Sequence, residues 1–304
     1  MQNYNGQNRF QYLADILILT GLVIVCALIF GVIGMLLVMD YDQAAAKGFS
    51  EYIQSQDWLR DARAMKLYNV ISTFGAWVFS AFLLLKIRRQ KVFAFWRFKR
   101  PEIRRTWLLL PFLFLSAMMI AAFLVYFNAT IEIPESISRT FNSDVNEQLM
   151  RQMLVMNDPG DLFINLFVIA LIPAVFEEIF FRGTLQQMMI GFTGNTHAGI
   201  AVTGLLFALI HLNVYQLIPM IFLALVLGYL YYYTGSIIPG IILHFCNNTF
   251  AILAKYYENR LTAAKMIADD TYLPGLWELL LCVTMLGGIF YYFHLQRQNR
   301  ITHE

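Results

Sequence analysis

The feature that most restricts the fold is an uncharged apolar run near the start of the chain, Ile16 to Met39. A helix needs about 20 residues to cross a hydrocarbon core of ~30 Å, and this run is long enough. The whole composition agrees, because 59% of the 304 residues are hydrophobic and only 14% are charged. Soluble domains average roughly 45–50% apolar and about 25% charged residues. The sequence therefore predicts an integral membrane protein.

Further apolar runs, separated by loops or breaker residues, predict an all-α fold. They are Leu67 to Ile87, Trp107 to Phe127, Leu162 to Phe181, Ala198 to Leu212, Tyr215 to Tyr233, Ile237 to Lys255 and Leu273 to Phe293. Together with the first run they predict a polytopic transmembrane helical bundle of about eight spans. The fifth span is short and the sixth follows almost without a loop, so this hairpin is predicted to be tilted or partly sunk below one surface.

Basic residues predict the orientation. They concentrate in the connection between the second and third spans: Lys86, Arg88, Arg89, Lys91, Arg97, Lys99, Arg100, Arg104 and Arg105. The positive-inside bias places this connection in the cytoplasm, and with eight spans both termini are cytoplasmic too. The connections Asp40 to Lys66, Asn128 to Asp161 and Tyr256 to Tyr272 are then external. A net charge of +2 gives no reason to expect nucleic acid as a partner, and the basic connection is explained by topology and contact with anionic lipid in the bilayer.

The three cysteines, Cys26, Cys246 and Cys282, all fall inside predicted spans. They form neither a disulfide framework nor a zinc-knuckle spacing, and we interpret them as core-filling residues. Cys246 follows His244 by two residues, and side chains at i and i+2 of a helix point to different sides. This disfavours a cysteine nucleophile.

The fourth span carries three charged side chains, Glu177, Glu178 and Arg182, after a helix-distorting Pro173. Ionisable groups at membrane depth cost on the order of 2.5 to 3.5 kcal/mol on insertion scales, so they default to functional candidates. Glu178 and Arg182 are four residues apart and are predicted to meet on one face, where they neutralise each other. Glu177 lies about 100° around the helix and is left to act as a base. The alternative to a functional site is an ordinary charge cluster at a helix end, because Gly183 ends the segment.

Two further spans carry polar pairs at i and i+4 spacing. In the fifth, the ring of Phe207 is predicted to pack beneath the imidazole of His211. In the seventh, His244 and Asn248 share a face, and the carboxamide could hold the imidazole or a developing oxyanion. Asn247 points elsewhere. Histidines in membrane helices also serve as hydrogen-bonded packing contacts, which is the alternative for His211.

Four of these polar residues lie on three spans that can converge in a bundle: Glu177, His211, His244 and Asn248. They could bind a divalent metal such as Zn²⁺ with an open position, with Glu177, His211 and His244 as possible ligands, or orient a water directly. The metal hypothesis is weakened because no single segment supplies two ligands at fixed spacing. A third alternative is a proton relay in a transporter.

These motifs resemble the signature of the CAAX protease and bacteriocin-processing (CPBP, or Abi) family of intramembrane proteases, which includes the type II CAAX prenyl endopeptidases. The family pattern has Glu-Glu-x-x-x-Arg, then Phe-x-x-x-His, then His-x-x-x-Asn on successive membrane helices. All three occur here in order, within roughly Asp161 to Lys255. We accordingly divide the chain into an N-terminal membrane region with three spans (1–160), a catalytic core (161–255) and a last part with an external loop, the last span and a cytoplasmic tail (256–304).

The resemblance implies an endopeptidase that acts within the membrane on a membrane-associated peptide or protein. It implies that Glu177 and His211 activate the attacking water and that His244 and Asn248 stabilise the oxyanion or complete a metal site. Arg182 would hold the arrangement through Glu178. Both a metal-dependent and a metal-free glutamate mechanism are argued for the family.

The resemblance implies roles in peptide processing or self-immunity to bacteriocins, with which bacterial relatives are associated. The plain, short-looped form of the chain indicates a bacterial origin, so we predict a bacterial inner (plasma) membrane protein. The alternative function is a non-catalytic transporter or bacteriocin-immunity protein that uses the same polar groups for binding or proton relay. The sequence has no internal repeat, and many transporters are built from repeats.

Overall fold

The computed structural model describes residues 8–55, 61–135, 137, 152–156, 158–258, 261, 265 and 273–301. Across these ranges the chain is helical and contains no strand, which confirms the predicted all-α fold. The long helices of this part of the chain are α1 (Arg9–Val38), α2 (Ala62–Ile87), α3 (Thr106–Ala129), α4 (Pro159–Thr193), α5 (Thr196–Ile210), α6 (Leu217–Thr234), α7 (Ile238–Tyr257) and α8 (Leu276–Ile301).

Each predicted span corresponds to one of these helices. Among the described residues, six helices are long and apolar enough to cross a membrane: α1, α2, α3, α4, α8 and the helix formed by α6 with the short turn before it. The fifth predicted span, α5, is a shorter apolar helix, and α7 is not among the six. The molecule is thus an integral membrane helical bundle, while the count of eight crossings stays a prediction.

The short connection between α5 and α6 is fixed to the end of α3. Asn128, which is buried, donates a hydrogen bond to the carbonyl of Val214 (3.0 Å) and accepts one from the backbone N–H of Ile218 (3.2 Å). These bonds satisfy backbone groups at the start of α6, where the first turn of a helix has no internal partners. One carboxamide therefore ties the connection of the α5–α6 hairpin to α3.

Helix α4 lies at the centre of the bundle. Its residues 178–189 are all buried, since α1 and α5 pack against it and the connection between α2 and α3 covers it. By contrast α1 exposes many large apolar side chains, such as Leu17, Leu28 and Leu37, as expected of a helix that faces lipid. The charged side chains of Glu178 and Arg182 on α4 are for this reason enclosed by protein.

Two π-helical stretches, Leu166–Leu171 and Glu178–Leu185, lie on either side of Pro173 in α4. Proline lacks an N–H and crowds the preceding turn of an α-helix. The helix nevertheless continues through Pro173, and the wider stretch Leu166–Leu171 lies in the preceding turn, which the ring crowds. The predicted distortion is present, but its form is a pair of π-helical stretches that the sequence did not indicate. Such stretches are frequent at functional sites.

The basic connection between α2 and α3 folds back onto the bundle. It contains a short helix, Val92–Phe95, followed by Trp96, whose indole Nε1 donates to Thr184 Oγ1 on α4 (3.0 Å). Gln187 of α4 donates to the carbonyl of Phe95 (2.9 Å). Of the predicted external connections, 40–66 contains the short helices Tyr41–Lys47 and Phe49–Ser55. About half of the connection 128–161 and most of the connection 256–272 lie outside the described residues.

Candidate active site

The site is built around a buried ion pair in the middle of α4. Arg182 Nη1 donates to Glu178 Oε1 at 2.7 Å, with side-chain exposures of 1% and 0%. This contact confirms the prediction made from their i and i+4 spacing. The guanidinium also donates from Nη2 to the carbonyl of Ala224 on α6 (3.2 Å) and lies 4.8 Å from the ring centroid of Phe207 on α5. One arginine thus joins three helices.

His244 of α7 connects both glutamates. Its Nδ1 is 3.1 Å from Glu178 Oε1, and its Nε2 is 3.7 Å from Glu177 Oε2. If the ring is neutral and Nδ1 carries the hydrogen that Glu178 accepts, Nε2 is an acceptor. The separation of 3.7 Å is too long for a direct hydrogen bond but suits two acceptors that share one water molecule. Glu177 retains 15% side-chain exposure, so this end of the arrangement is open.

Helix α7 approaches Glu178 closely because Gly240 has no side chain. A Cβ at this position would lie 3.0 Å from Glu178 Oε2, a carboxylate oxygen that has no hydrogen-bond partner among the described residues. Pro239 and Gly240 lie in the first turn of α7. Spacing along α7 places Gly240 one turn before His244, but the residue that needs the space, Glu178, lies on another helix.

His211 is placed differently from the glutamates. It follows the last residue of α5, its Nδ1 lies 2.7 Å from the carbonyl of Phe207, and the two rings are 4.7 Å apart between centroids. The predicted packing of Phe207 against His211 is confirmed. The ring of Phe207 also contacts His244, with centroids 6.0 Å apart. In the described part of the chain, His211 makes no hydrogen bond with either glutamate.

Asn248 does not hold His244, whose Nδ1 lies against Glu178 instead. The carboxamide Nδ2 of Asn248 donates to the carbonyl of Ala170 on α4 (3.3 Å), and its Oδ1 accepts from Asn247 (3.2 Å). A carboxylate is the stronger acceptor for an imidazole N–H, since charge-assisted hydrogen bonds are roughly twice as strong as neutral ones. The i and i+4 spacing predicts only partners on the same helix, so the contact of His244 with Glu178 was not predicted from the sequence.

The arrangement does not form a metal centre as placed. Across the described residues, no three side chains of His, Cys, Asp or Glu form a group that could hold a metal ion. Of the possible ligands, Glu177 and His244 lie together, but a catalytic zinc site has three protein ligands. In this geometry Glu177, His211 and His244 therefore do not supply the three ligands of a catalytic zinc site.

Residues 159–250 match a family model, that of the Rce1-like type II CAAX prenyl endopeptidases. The matched segment is similar to this family. It includes every polar residue of the site and covers less than a third of the chain. The match confirms the resemblance read from the three motifs and indicates a protease of the CAAX type in an integral membrane protein. Searches of curated proteins and of solved structures returned no match.

Proposed function

We propose that this protein is an intramembrane endopeptidase that hydrolyses peptide bonds of a membrane-associated peptide or protein. The observation that carries the proposal is the separation of 3.7 Å between Glu177 Oε2 and His244 Nε2 beside a fully buried Glu178–Arg182 pair. Two acceptors at this distance can both receive hydrogens of one water. The family match to the same segment supports hydrolysis over transport.

In the proposed reaction Glu177 is the general base. It takes a proton from the water as the oxygen attacks the carbonyl carbon, and the proton is then delivered to the leaving nitrogen as the C–N bond breaks. The products are a new carboxylate and a new amine. His244 holds the water, and Glu178 and Arg182 are positioning residues because they act through His244.

His211 and Asn248 complete the proposal. Asn248 donates one hydrogen to Ala170, and its carboxamide has a second that can stabilise an oxyanion. His211 has its Nδ1 against Phe207, so its Nε2 is available toward the substrate. We assign it to sharing the activation of water or carrying the proton to the leaving amine, in line with the motif resemblance.

The deciding experiment compares peptide termini in membranes of cells that express wild type or Glu177→Gln at equal levels. New termini that depend on Glu177 support the protease and identify its substrate. Glu278→Gln on α8, outside the matched segment, is the matched control and should cleave like wild type. A folded Glu177→Gln protein with wild-type cleavage contradicts the mechanism. Protection or transport without any cleavage would favour the immunity or transporter alternative.

The same assay tests the remaining parts of the proposal. Loss of cleavage with a chelator and recovery with Zn²⁺ would favour the metal-dependent form over the glutamate form. Cleaved termini that end in a prenylated cysteine would make the substrate a CAAX protein. A separate topology measurement tests the orientation, since tags accessible only from the cytoplasm at both ends would support cytoplasmic termini.

A further inference from the structure

A second polar feature lies where the connection between α2 and α3 meets the ends of α6 and α8. It is an open cleft of about 580 Å³, here called the basic cleft. Its charged lining consists of Arg97, Lys99, Glu102 and Arg297, and its aromatic walls are Phe93 and Phe98. None of these side chains belongs to the glutamate and histidine site, and nothing in the proposed protease reaction uses them.

The single acid of the basic cleft is shared by two cations. Glu102 accepts from Lys99 (2.6 Å) and pairs with Arg300 (3.3 Å). Partial burial by itself raises the pKa of Glu102. The hydrogen bond from Lys99 and the charges of Lys99, Arg300 and Arg97 outweigh it, so that the pKa lies below its ordinary value. The cleft therefore has a positive potential that one carboxylate does not cancel.

Two guanidinium groups remain for a ligand. No ion pair joins Arg97 or Arg297 to a carboxylate of the described residues. Arg97 lies 5.3 Å from the ring centroid of Tyr231, and Arg297 lies 3.8 Å from that of Tyr232 and donates to its carbonyl. Stacking on aromatic rings leaves the N–H groups at the edge of a guanidinium free to bind an anion. The cleft thus presents two pre-positioned anion-binding groups.

The backbone that carries Arg97 is also specialised. Arg97 has φ +57°, a left-handed conformation that is uncommon for residues other than glycine. Its carbonyl accepts from the N–H of Ile237 (3.3 Å), just before α7, and the carbonyl of Lys99 accepts from Ser236. Strained backbone that its surroundings hold in place is a feature of binding sites.

The walls of the basic cleft point to an amphipathic ligand. Phe93 is 71% exposed and Phe98 is 38% exposed. The cleft lies beyond the last residue of α2 and before the first residue of α3, and both helices are long and apolar enough to span a membrane. The cleft therefore belongs at the boundary between lipid and water, where phosphates of lipid headgroups lie next to glycerol and acyl chains.

We propose that the basic cleft binds the phosphate of an anionic phospholipid headgroup, with Arg97 and Arg297 on the phosphate and the two phenylalanines against the apolar part of the lipid. Guanidinium groups match phosphate oxygens in a bidentate geometry, and basic pockets between membrane helices bind such headgroups. This is a defined site and not the general attraction of a basic loop. It does not depend on the proposed protease activity.

The test measures binding of phosphatidylglycerol and phosphatidylcholine to the purified full-length protein by native mass spectrometry in detergent. We expect wild type to bind phosphatidylglycerol at least tenfold more tightly. The double variant Arg97→Gln/Arg297→Gln should lose this preference. Arg104→Gln/Arg105→Gln removes two exposed charges of the same connection that do not line the cleft, and it should keep the preference.

Equal loss in both double variants would overturn the proposal, because it would show non-specific attraction. So would equal binding of the two lipids by wild type, or displacement of phosphatidylglycerol by millimolar inorganic phosphate, which would indicate a site for a soluble anion. Thermal unfolding without lipid checks that the double variants are folded. If the variant Arg97→Gln/Arg297→Gln does not fold, two measurements on wild type test the proposal. They are the comparison of the two lipids and the displacement of phosphatidylglycerol by inorganic phosphate.

Discussion

Two carboxylates in this molecule are each shared by two nitrogen-bearing side chains, and they lie in opposite surroundings. Glu178 contacts Arg182 and His244 at 0% exposure inside the bundle. Glu102 contacts Lys99 and Arg300 at the end of the bundle, where the side chain of Glu102 is 44% exposed. The contact distances are similar, from 2.6 to 3.3 Å. What differs is the access of water.

Access of water decides what each group can do. Exposed ion pairs contribute about 0–1 kcal/mol because water and salt screen them. A buried charge is costly unless it is paired and hydrogen-bonded, so breaking a buried pair is severe even where the intact pair adds little net stability. The Glu178 group therefore restricts how α4, α6 and α7 pack, whereas the Glu102 group leaves its neighbours available for a ligand.

The largest expected effect comes from Arg182→Met, which leaves Glu178 buried without its cation. We expect the free energy of unfolding to fall by about 3–5 kcal/mol. Unfolding in detergent by steric trapping or SDS titration measures it. Cleavage should fall as well, because His244 loses a fixed acceptor.

A double variant separates charge from packing. Arg182→Met/Glu178→Met removes both charges and replaces them with apolar side chains, so it should recover much of the stability lost in Arg182→Met while remaining inactive. If the double variant is as unstable as the single one, burial of an unpaired charge is not the cause. Loss of the hydrogen bond to Ala224 would then be the larger effect.

Spacing along one helix predicted contacts within that helix. The i and i+4 rule placed Glu178 next to Arg182 and Phe207 beneath His211, and both contacts are present. It could not predict partners from other helices, because periodicity states which face a residue is on and not what meets that face. His244 against Glu178 is such a partner.

The helices themselves followed from run length and breaker residues, since backbone groups in a membrane must be satisfied within the segment. The π-helical stretches around Pro173 were not predictable, because one proline is compatible with a kink, a break or a wide turn. The fold of the basic connection was missed as well. The basic residues of this connection predicted only its orientation in the membrane. Its attachment to α4 depends on hydrogen bonds between residues that are distant in the sequence, from Trp96 to Thr184 and from Gln187 to Phe95.

The close approach of α7 to Glu178 predicts a smaller effect for Gly240→Ala. The new Cβ would lie 3.0 Å from Glu178 Oε2, so the carboxylate or the helix must shift. We expect a loss of about 1–3 kcal/mol, as for other overpacked positions, and a lower cleavage rate. Gly287→Ala on α8 meets no atom within 4 Å and should be neutral or stabilise by up to about 1 kcal/mol. Equal effects of the two substitutions in thermal unfolding would contradict the close contact.

The attachment of the basic connection predicts a smaller effect still. Trp96→Phe keeps an aromatic ring but removes the donor to Thr184, which is fully buried. The expected loss is about 0.5–1.5 kcal/mol, the net contribution of a typical hydrogen bond. Trp277→Phe changes an indole that is 82% exposed and serves as the control. A Trp96→Phe protein as stable as the control in chemical unfolding would show that the connection is held by other contacts.

The exposed carboxylate predicts the smallest effect, and one that depends on pH. Because Lys99, Arg300 and Arg97 hold the pKa of Glu102 below its ordinary value of 4.5 in the folded protein, the folded state binds its proton less readily than the unfolded state. Its stabilisation is therefore present above pH 4.5 and is lost as the pH falls through the folded-state pKa. Glu102→Gln should reduce the free energy of unfolding by no more than about 1 kcal/mol at pH 7. The difference between wild type and Glu102→Gln, followed by chemical unfolding from pH 7 to pH 3, should shrink toward zero at the acidic end. A difference that stays constant or grows as the pH falls would mean that Glu102 contributes through its shape and not through its charge. Screening of charges by water would then not explain the contrast between Glu102 and Glu178.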